Sequence, residues 1–224
     1  IEKLLAFEEF PEKLTGILSA LVKSRYNILI SGATNSGKSS LLNALAEYIG
    51  KRERVITIED SAELQLFHVE NLVRLETRNA NMEGENEITM QDLIKASLRM
   101  RPDRIIVGEV RGAEAMSMLQ ALSTGHSGSV SSIHANSCRD ALRRLETMVL
   151  MGMDMPLAAI QGLIASSVDI LIHLGRLTTG KRKILEICEI KDYSRAEYDI
   201  RTLFQYKAGQ TESLEMTGKL FHTE

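Results

Sequence analysis

The chain has 224 residues, of which 44% are hydrophobic and 25% charged, and its 27 Lys and Arg against 30 Asp and Glu leave a formal net charge of −3. This balance argues against a domain held on duplex DNA by many phosphate contacts, so no stable nucleic-acid partner is expected. No apolar run approaches the roughly 20 residues that a membrane-spanning helix needs, which argues against membrane insertion.

Only two cysteines occur, Cys138 and Cys188. They are far apart in the sequence and form no CxxC pattern, which argues against a disulfide framework or a zinc site. This cysteine usage favours a reducing compartment and therefore a cytoplasmic protein.

Short apolar runs alternate with stretches of helical periodicity, which is typical of buried parallel strands joined by crossover helices. The predicted fold class is therefore α/β, with a mostly parallel sheet flanked by helices. Helices are predicted over 12–24, 38–49, 89–100, 112–123, 137–151 and 157–167. Strands are predicted over 26–30, 54–58, 71–76, 104–107, 128–133, 168–174 and 183–190, with a final hairpin around 200–217.

Two local signals refine these helices. Thr89 is a plausible N-cap, and Pro102 should end the helix that follows it by forcing the preceding residue out of the helical region. Four methionines around the end of the 137–151 helix are predicted to fill the core, namely Met148, Met151, Met153 and Met155.

A complete GxxxxGK[ST] motif occupies residues 32–39, between an apolar strand and an apolar-periodic helix. Its glycines allow backbone angles that turn successive N–H groups toward phosphate oxygens, and the helix that follows adds unpaired amides. Lys38 is predicted to reach the β- and γ-phosphates, and Ser39 to offer its hydroxyl to Mg²⁺. The predicted nucleotide-binding residues are Gly32, Ala33, Thr34, Asn35, Ser36, Gly37, Lys38, Ser39 and Ser40.

Two predicted strands end in acidic residues, and ligands of open α/β sheets bind at the carboxyl ends of strands. Glu109 is the favoured base for positioning water, because Gly108 stands where an Asp is usual and would leave room for water or Mg²⁺ beside the phosphates. Glu63 is a second catalytic candidate. Glu59 and Asp60 are candidate Mg²⁺ ligands, directly or through water. For each acid the alternative is a solvated residue at a strand end.

Two histidines bracket the predicted strand 128–133. His126 precedes it and His134 ends it, so both would point toward the phosphates if this strand lies beside the P-loop strand. A nucleotide-sensing role is the hypothesis for both, with a structural histidine as the alternative. Neither has the spacing of a metal site.

Several arginines near an anionic site suggest an arginine finger, which reaches a γ-phosphate within the subunit or from a neighbour. Arg74 and Arg78 are the favoured candidates. Arg101, Arg104 and Arg111 are weaker ones, because most surface arginines have no such role.

Four motifs, in this order, resemble those of the secretion and pilus-assembly ATPases of type II and type IV systems. They are the P-loop GATNSGKS, the acidic segment TIEDSAEL, the segment RPDRIIVGEVRG and the histidine segment TGHSGSVSSIHANS. The segments RLETRNANMEGENEIT and ALRRLETMVLMGMDMP further resemble the branch that powers tight-adherence pili, often called CpaF-like. The resemblance covers nearly the whole chain and is strongest from 27 to 156.

This resemblance implies a RecA-like motor domain that assembles as a homo-hexamer and hydrolyses ATP with Mg²⁺ near subunit interfaces. It matches Lys38 and Ser39 to the Walker A pair, Glu63 to the acidic box, Glu109 to the catalytic Walker B glutamate, His126 and His134 to the histidine box, and Arg74 and Arg78 to the arginines between the acidic box and Walker B. It also implies a cytoplasmic protein, peripheral at the inner face of the cell membrane. Its partner there would be the inner-membrane platform protein of a secretion or pilus machine.

Three segments are expected on this basis. Residues 1–25 would be a linker and leading helix from a missing N-terminal domain, 26–155 the RecA-like ATPase core, and 156–224 a C-terminal helix and β-rich extension of the same domain. Because the chain begins at Ile1 without a leader sequence, we interpret it as a domain cut from a longer protein.

The predicted function is an ATP-hydrolysing motor that couples hydrolysis to subunit motion for pilin assembly or protein export. Two alternatives stay open, because a fold alone does not fix a function. One is a nucleotide-gated docking scaffold with little turnover, and the other is a related conjugation or DNA-translocating ATPase. A small GTPase is disfavoured, because the chain contains neither NKxD nor DxxG.

Overall fold

The computed structural model describes residues 12–177, 179–194, 197–207 and 213–217. The helices are α1 Glu12–Lys23, α2 Lys38–Ala46, α3 Met90–Ser97, α4 Glu114–Ser123, α5 Cys138–Gly152 and α6 Leu157–Ser167, with a 3₁₀ turn at Leu98–Met100. The strands are β1 Ile28–Gly32, β2 Arg54–Glu59, β3 Asn71–Glu76, β4 Arg104–Val110, β5 Val130–Ile133, β6 Ile170–Arg176, β7 Arg182–Ser194, β8 Glu197–Lys207 and β9 Ser213–Met216.

These strands form one sheet in the order β3-β2-β4-β5-β1-β6-β7-β8-β9. From β3 to β6 in that order the neighbours are parallel, and from β6 to β9 they are antiparallel. Each helix and strand predicted up to residue 190 has a counterpart, and the predicted final hairpin is formed by β8 and β9. The α/β prediction is therefore confirmed.

The parallel order decides which loops meet. Strand β1 lies between β5 and β6, so the strand that follows His126 does lie beside the P-loop strand. Because β1, β2, β4 and β5 all run the same way, the loops that follow them emerge at one edge of the sheet. We call this the carboxyl edge and the opposite one the amino edge.

Successive side chains of a strand point to opposite faces of the sheet and pack into two hydrophobic cores, one on each face. On β1, Leu29 belongs to the core covered by α3, α4, α5 and α6, whereas Ile28 and Ile30 belong to the core covered by α1 and α2. Leu18 of α1 and Leu41 of α2 are both buried in the second core. The leading helix is therefore packed against the helix that carries the P-loop lysine.

Both boundary predictions for α3 agree with the structure. The Thr89 hydroxyl accepts a hydrogen bond from the Asp92 backbone N–H at 3.1 Å, and the Asp92 carboxylate accepts one from the Thr89 backbone N–H at 3.1 Å. This reciprocal pair is a capping box. At the other end Arg101, before Pro102, leaves the helical region with φ 54°.

The methionine prediction was only half right. Met148 is buried and Met155 packs against the core, but Met151 is 69% exposed and Met153 is 43% exposed. Met151 lies two residues beyond the buried Val149, about 200° around the helix, so it faces away from the sheet. Met153 follows the end of α5.

Within the described ranges, no helix is both long enough and apolar enough to cross a bilayer.

Candidate active site

The P-loop joins the carboxyl end of β1 to the first turn of α2. Asn35 has φ 61° and Gly37 has φ 100°, both left-handed, an arrangement that lets a loop turn its amides toward an anion. The Lys38 ammonium donates hydrogen bonds to the carbonyl oxygens of Gly32 at 3.0 Å and Ala33 at 3.3 Å. The lysine therefore folds back over its own loop, with its side chain mostly buried.

Two predicted catalytic acids reach this loop from other strands. The Ser39 hydroxyl donates a hydrogen bond to a Glu63 carboxylate oxygen at 3.0 Å. A Glu109 carboxylate oxygen lies 3.8 Å from Lys38 Nζ. The loop after β2 thus brings one acid to Ser39, and the end of β4 brings another to Lys38. Parallel strands whose ends meet at the carboxyl edge produce this arrangement.

The space at Gly108 is shared with Glu59. A Cβ atom placed on Gly108 would lie 3.2 Å from Cγ of Glu59, so the glycine makes room for that side chain. Gly108 also lines a cavity of about 230 Å³ together with Ser39 and Glu109, and the room for water or Mg²⁺ there stays a prediction. Glu59 Oε1 in turn accepts hydrogen bonds from the backbone N–H groups of Glu63 and Leu64, each at 3.0 Å. Glu59 therefore holds the segment that presents Glu63.

Burial also affects the charge of Glu59. Desolvation raises the pKa of its carboxyl, against the opposing effect of the two backbone hydrogen bonds and of the positive charge of Arg74. With one oxygen committed to the main chain, Glu59 is better placed to support Glu63 than to serve as an exposed metal ligand.

Arg111, one of the weaker arginine candidates, lies at the site. Its Nη1 is 2.9 Å from an Asp60 carboxylate oxygen, and its Nε is 3.3 Å from a Glu109 carboxylate oxygen. Its hydrogen bond to Glu109 and the negative charges around it raise the pKa of the guanidinium. Asp60, predicted as a Mg²⁺ ligand, is thus tied to Glu109 through Arg111.

The two favoured arginines are not brought to the P-loop of their own chain. Arg74 lies on β3, the edge strand, paired with Thr57 of β2, and its side chain is exposed. Four strand spacings separate β3 from β1, about 19 Å. Arg78 follows β3, where its Nε donates a hydrogen bond to the Asn86 carbonyl at 2.9 Å.

The histidines lie at opposite edges of the sheet. His134 follows β5 at the carboxyl edge and is half-buried. His126 precedes β5 at the amino edge, where its Nδ1 is 3.2 Å from the carbonyl oxygen of Ala121. One strand cannot present both of its ends at the same edge, so the expectation that both histidines face the phosphates of their own subunit is wrong for His126.

One residue at the site was not predicted from the sequence. A groove of about 390 Å³ runs over the P-loop, and Arg182, the first residue of β7, lines it. The other lining residues are Thr34, Asn35, Ser36, Gly37, Lys38, Ser39, Ser40, Glu63, Glu109 and Arg111. No local pattern marks Arg182, because its position depends on β6 pairing with β1.

The two cysteines also come together. Cys138, at the start of α5, and Cys188, on β7, are both buried free thiols. Their sulfur atoms and a carboxylate oxygen of Glu186 lie within 4.8 Å of one another. Sequence separation alone therefore gave no indication of a cluster that the fold assembles.

This environment predicts unreactive thiols. The neighbouring Cys188 thiol, burial and the charge of Glu186 raise the pKa of Cys138 well above its usual value, so its reactive thiolate is suppressed at pH 8. We expect Ellman's reagent to modify neither cysteine of the native protein within minutes and both in denaturant. Ser127→Cys adds an exposed thiol as the control, which should react at once. Rapid modification of two thiols in the native wild-type protein would contradict the expectation.

The arrangement at the carboxyl edge defines a class of protein. A phosphate-binding loop between a central parallel strand and a helix, with acids from neighbouring strands beside its lysine, is typical of P-loop nucleotide-binding proteins. A family model described as "Type II/IV secretion system protein" matches residues 2–219. The chain therefore belongs to the type II/IV secretion system protein family.

The curated relatives include proteins of conjugation and type IV secretion. A putative conjugal transfer protein of Mycobacterium tuberculosis is 39% identical over 175 residues, which are 78% of this chain and 49% of that protein. The conjugal transfer protein TrbB of Rhizobium radiobacter is 37% identical over 190 residues, 84% of this chain and 55% of that protein. The chain thus spans about half the length of these relatives.

Solved structures place the fold among the RecA-like secretion ATPases, as predicted. The VirB11 ATPase of the Brucella suis type IV secretion system superposes with a TM-score of 0.71 and 34% identity, covering 83% of this chain and 56% of that one. The pilus retraction motor PilT with bound ADP has a TM-score of 0.61 and 25% identity, covering 80% of this chain and 52% of that one. The narrower resemblance to the tight-adherence branch stays a prediction.

Proposed function

We propose that this chain is the ATP-hydrolysing motor domain of a secretion or pilus-assembly ATPase. The observation that carries the proposal is the convergence of Lys38, Ser39, Glu63 and Glu109 from three separate segments onto one loop. These are the groups that phosphoryl transfer to water needs, namely a phosphate-binding cation, a metal-binding hydroxyl and carboxylates to hold the metal and the water.

The groove suits a nucleoside triphosphate in size and charge. Its volume of about 390 Å³ lies within the usual range for small-molecule sites. Three cationic side chains line it, Lys38, Arg111 and Arg182. Adenine as the base is proposed from the structural neighbour PilT, which has been solved with ADP.

The residues around Ser39 fit Mg²⁺. Its hydroxyl and the Glu63 carboxylate, 3.0 Å apart, are hard oxygen donors of the kind that this ion prefers. When bound, Mg²⁺ would offset the negative charge of the phosphates. The two backbone hydrogen bonds that Glu59 accepts hold the loop after β2, and with it Glu63, beside Ser39.

Glu109 is the proposed base. Its carboxylate lies between Lys38 and Arg111, at 3.8 and 3.3 Å, and faces the groove. A carboxylate in this position can accept a proton from water lined up against the terminal phosphate. Arg111 orients it, and a shift of Arg111 toward Asp60 alone would free Glu109 to hold that water.

The remaining predictions form the subunit-level part of the proposal. Arg74, on a strand about 19 Å from the P-loop strand, and Arg78, which follows that strand, would act on a nucleotide of the neighbouring subunit in a homo-hexamer. His134, at the carboxyl edge, would sense the nucleotide. The assembled motor would work in the cytoplasm against an inner-membrane platform protein.

Steady-state hydrolysis tests the proposal. MgATP and MgGTP turnover is measured across protein concentrations, together with light scattering to follow assembly. ATP is expected to be preferred, and Lys38→Ala is expected to lower turnover at least about 100-fold because it removes the cation on the β- and γ-phosphates. Turnover that rises more than linearly with concentration would support completion of the site between subunits.

The control is Lys51→Ala, which removes an exposed lysine away from the groove and should leave the rate unchanged. Normal hydrolysis by Lys38→Ala would contradict the motor function. Nucleotide binding with negligible turnover at every concentration, also in a longer form of the protein, would favour the docking scaffold.

A second candidate function is a conjugation ATPase, favoured by the names of the relatives from Mycobacterium tuberculosis and Rhizobium radiobacter. If such a motor acts on DNA directly, DNA should stimulate its ATPase activity and the stimulation should fall steeply with salt. Absence of stimulation at low salt would exclude direct action on DNA.

A further inference from the structure

The hairpin between β6 and β7 lies against the P-loop. In the β1–β6 ladder Gly32 is paired with Leu174, and a Cβ atom on Gly32 would lie 2.8 Å from the Leu174 carbonyl oxygen. Two residues further, Arg176 is paired with Arg182 across the hairpin. The start of β7 is thereby held close to the nucleotide loop, although 150 residues separate Gly32 from Arg182 in the sequence.

The Arg182 side chain crosses Gly37. A Cβ atom on Gly37 would lie 3.5 Å from Cδ of Arg182, in ordinary van der Waals contact. The aliphatic stem therefore reaches the bend that precedes Lys38, and Arg182 is one of the residues that line the groove. The side chain is exposed, so no packing holds it away from a ligand.

The three cations of the groove differ in their partners. Lys38 is close to Glu109, and Arg111 is paired with Glu109 and Asp60. Arg182 has no ion pair with any carboxylate of the described residues. An arginine without a carboxylate partner beside a phosphate-binding loop is suited to binding phosphate oxygens in a two-pronged manner.

We infer that Arg182 is a phosphate-binding residue that holds the α- and β-phosphates of the nucleotide from within the same subunit. This inference rests on the proposed function. The position of Arg182 relative to the sheet indicates which phosphates it holds. For hydrolysis the γ-phosphate must face Glu109 of β4, on one side of β1, whereas Arg182 approaches over Gly37 from the β6 side.

This assignment separates binding from catalysis. ATP and ADP share the α- and β-phosphates, so Arg182 stabilises the ground state and the transition state alike. Arg182→Ala is expected to weaken binding of fluorescent mant-ATP and mant-ADP about tenfold or more each, the usual range for losing hydrogen bonds to a charged group. At saturating ATP, kcat is expected to change less than about threefold.

Two variants control for the hairpin. Arg176→Ala removes the paired arginine, whose Nε donates to the Gly180 carbonyl at 3.1 Å and which does not line the groove. It should leave both affinities within about twofold. Arg182→Lys keeps the charge but loses the planar fork, so intermediate affinity is expected. It also provides the test if Arg182→Ala does not fold, because weaker binding by Arg182→Lys is required in either case.

The outcomes distinguish this inference from the proposed function. If the wild-type protein binds neither nucleotide, the proposed function fails. If wild-type binding depends on Lys38 while the Arg182 variants bind both nucleotides normally, only the inference about Arg182 is overturned. Loss of affinity for mant-ATP with mant-ADP unchanged would also overturn it, since it would place Arg182 on the γ-phosphate.

Discussion

Glu109→Gln is expected to lower ATP turnover by about 10²–10⁴-fold while nucleotide affinity stays within a few-fold of wild type. Glutamine keeps the size of the side chain and its hydrogen bond from Arg111, but it cannot accept a proton from water. Binding should survive because the substitution leaves Lys38 and the P-loop amides, the proposed phosphate-binding groups, unchanged. Single-turnover hydrolysis and mant-ATP titration measure the two quantities separately.

Glu70→Gln is the matched control, since it makes the same change at an exposed acid away from the groove and should leave turnover unchanged. A rate for Glu109→Gln within tenfold of wild type would assign the base to another residue, with Glu63 next in line. Loss of binding together with turnover would instead show that the contact between Glu109 and Lys38 organises the loop.

Arg104→Ala is expected to lower the free energy of unfolding by about 3 kcal/mol. This is the lower end of the range of about 3–5 kcal/mol for removing one partner of a buried ion pair. The lower end applies because the Glu53 side chain is 19% exposed. The guanidinium is 2% exposed and lies 2.7 and 3.2 Å from the two Glu53 carboxylate oxygens. It also donates to the Val22 carbonyl at 2.9 Å and the Gly128 carbonyl at 3.0 Å. Urea unfolding followed by circular dichroism measures the loss.

Arg99→Ala, at an exposed arginine, should change stability by less than about 0.5 kcal/mol. A loss below about 1 kcal/mol for Arg104→Ala would show that water replaces the guanidinium at little cost. A structural role for Arg104 also bears on function, because Arg104 is one of the weaker arginine-finger candidates predicted from the sequence. Its bonds tie α1 to the amino edge, opposite the P-loop.

The same pair predicts a pH dependence. Burial alone would raise the pKa of Glu53, but hydrogen bonds from Arg104 and the Gly50 backbone N–H outweigh it and hold the pKa below its ordinary value of 4.5. A lowered pKa means that the stabilisation is present above pH 4.5 and is lost as the pH falls through the folded-state value. The stability difference between wild type and Arg104→Ala should therefore be smaller at pH 3 than at pH 7.

The sequence by itself determined the elements and the chemistry of the P-loop. Buried parallel strands and amphipathic helices have local periodicities, so the α/β class and the order of elements could be predicted. The P-loop is one short segment whose glycines, lysine and serine act within a single turn, so its pattern is complete in the sequence. Glu63 and Glu109 followed from a general rule about strand ends rather than from any known distance.

Only the tertiary structure showed which residues distant in the sequence come together through strand pairing and packing. The parallel pairing of β5 with β1 places His134 at the same edge as the P-loop, which periodicity alone cannot show. That His126 lies at the opposite edge already follows from the single strand between the two histidines. Other long-range pairing and packing brings Arg182 to Gly37, Glu59 to Gly108 and Cys138 to Cys188. Each of these contacts joins residues about 50 or more positions apart. Such contacts arise from the packing of whole strands and helices, and no local pattern of residues specifies them.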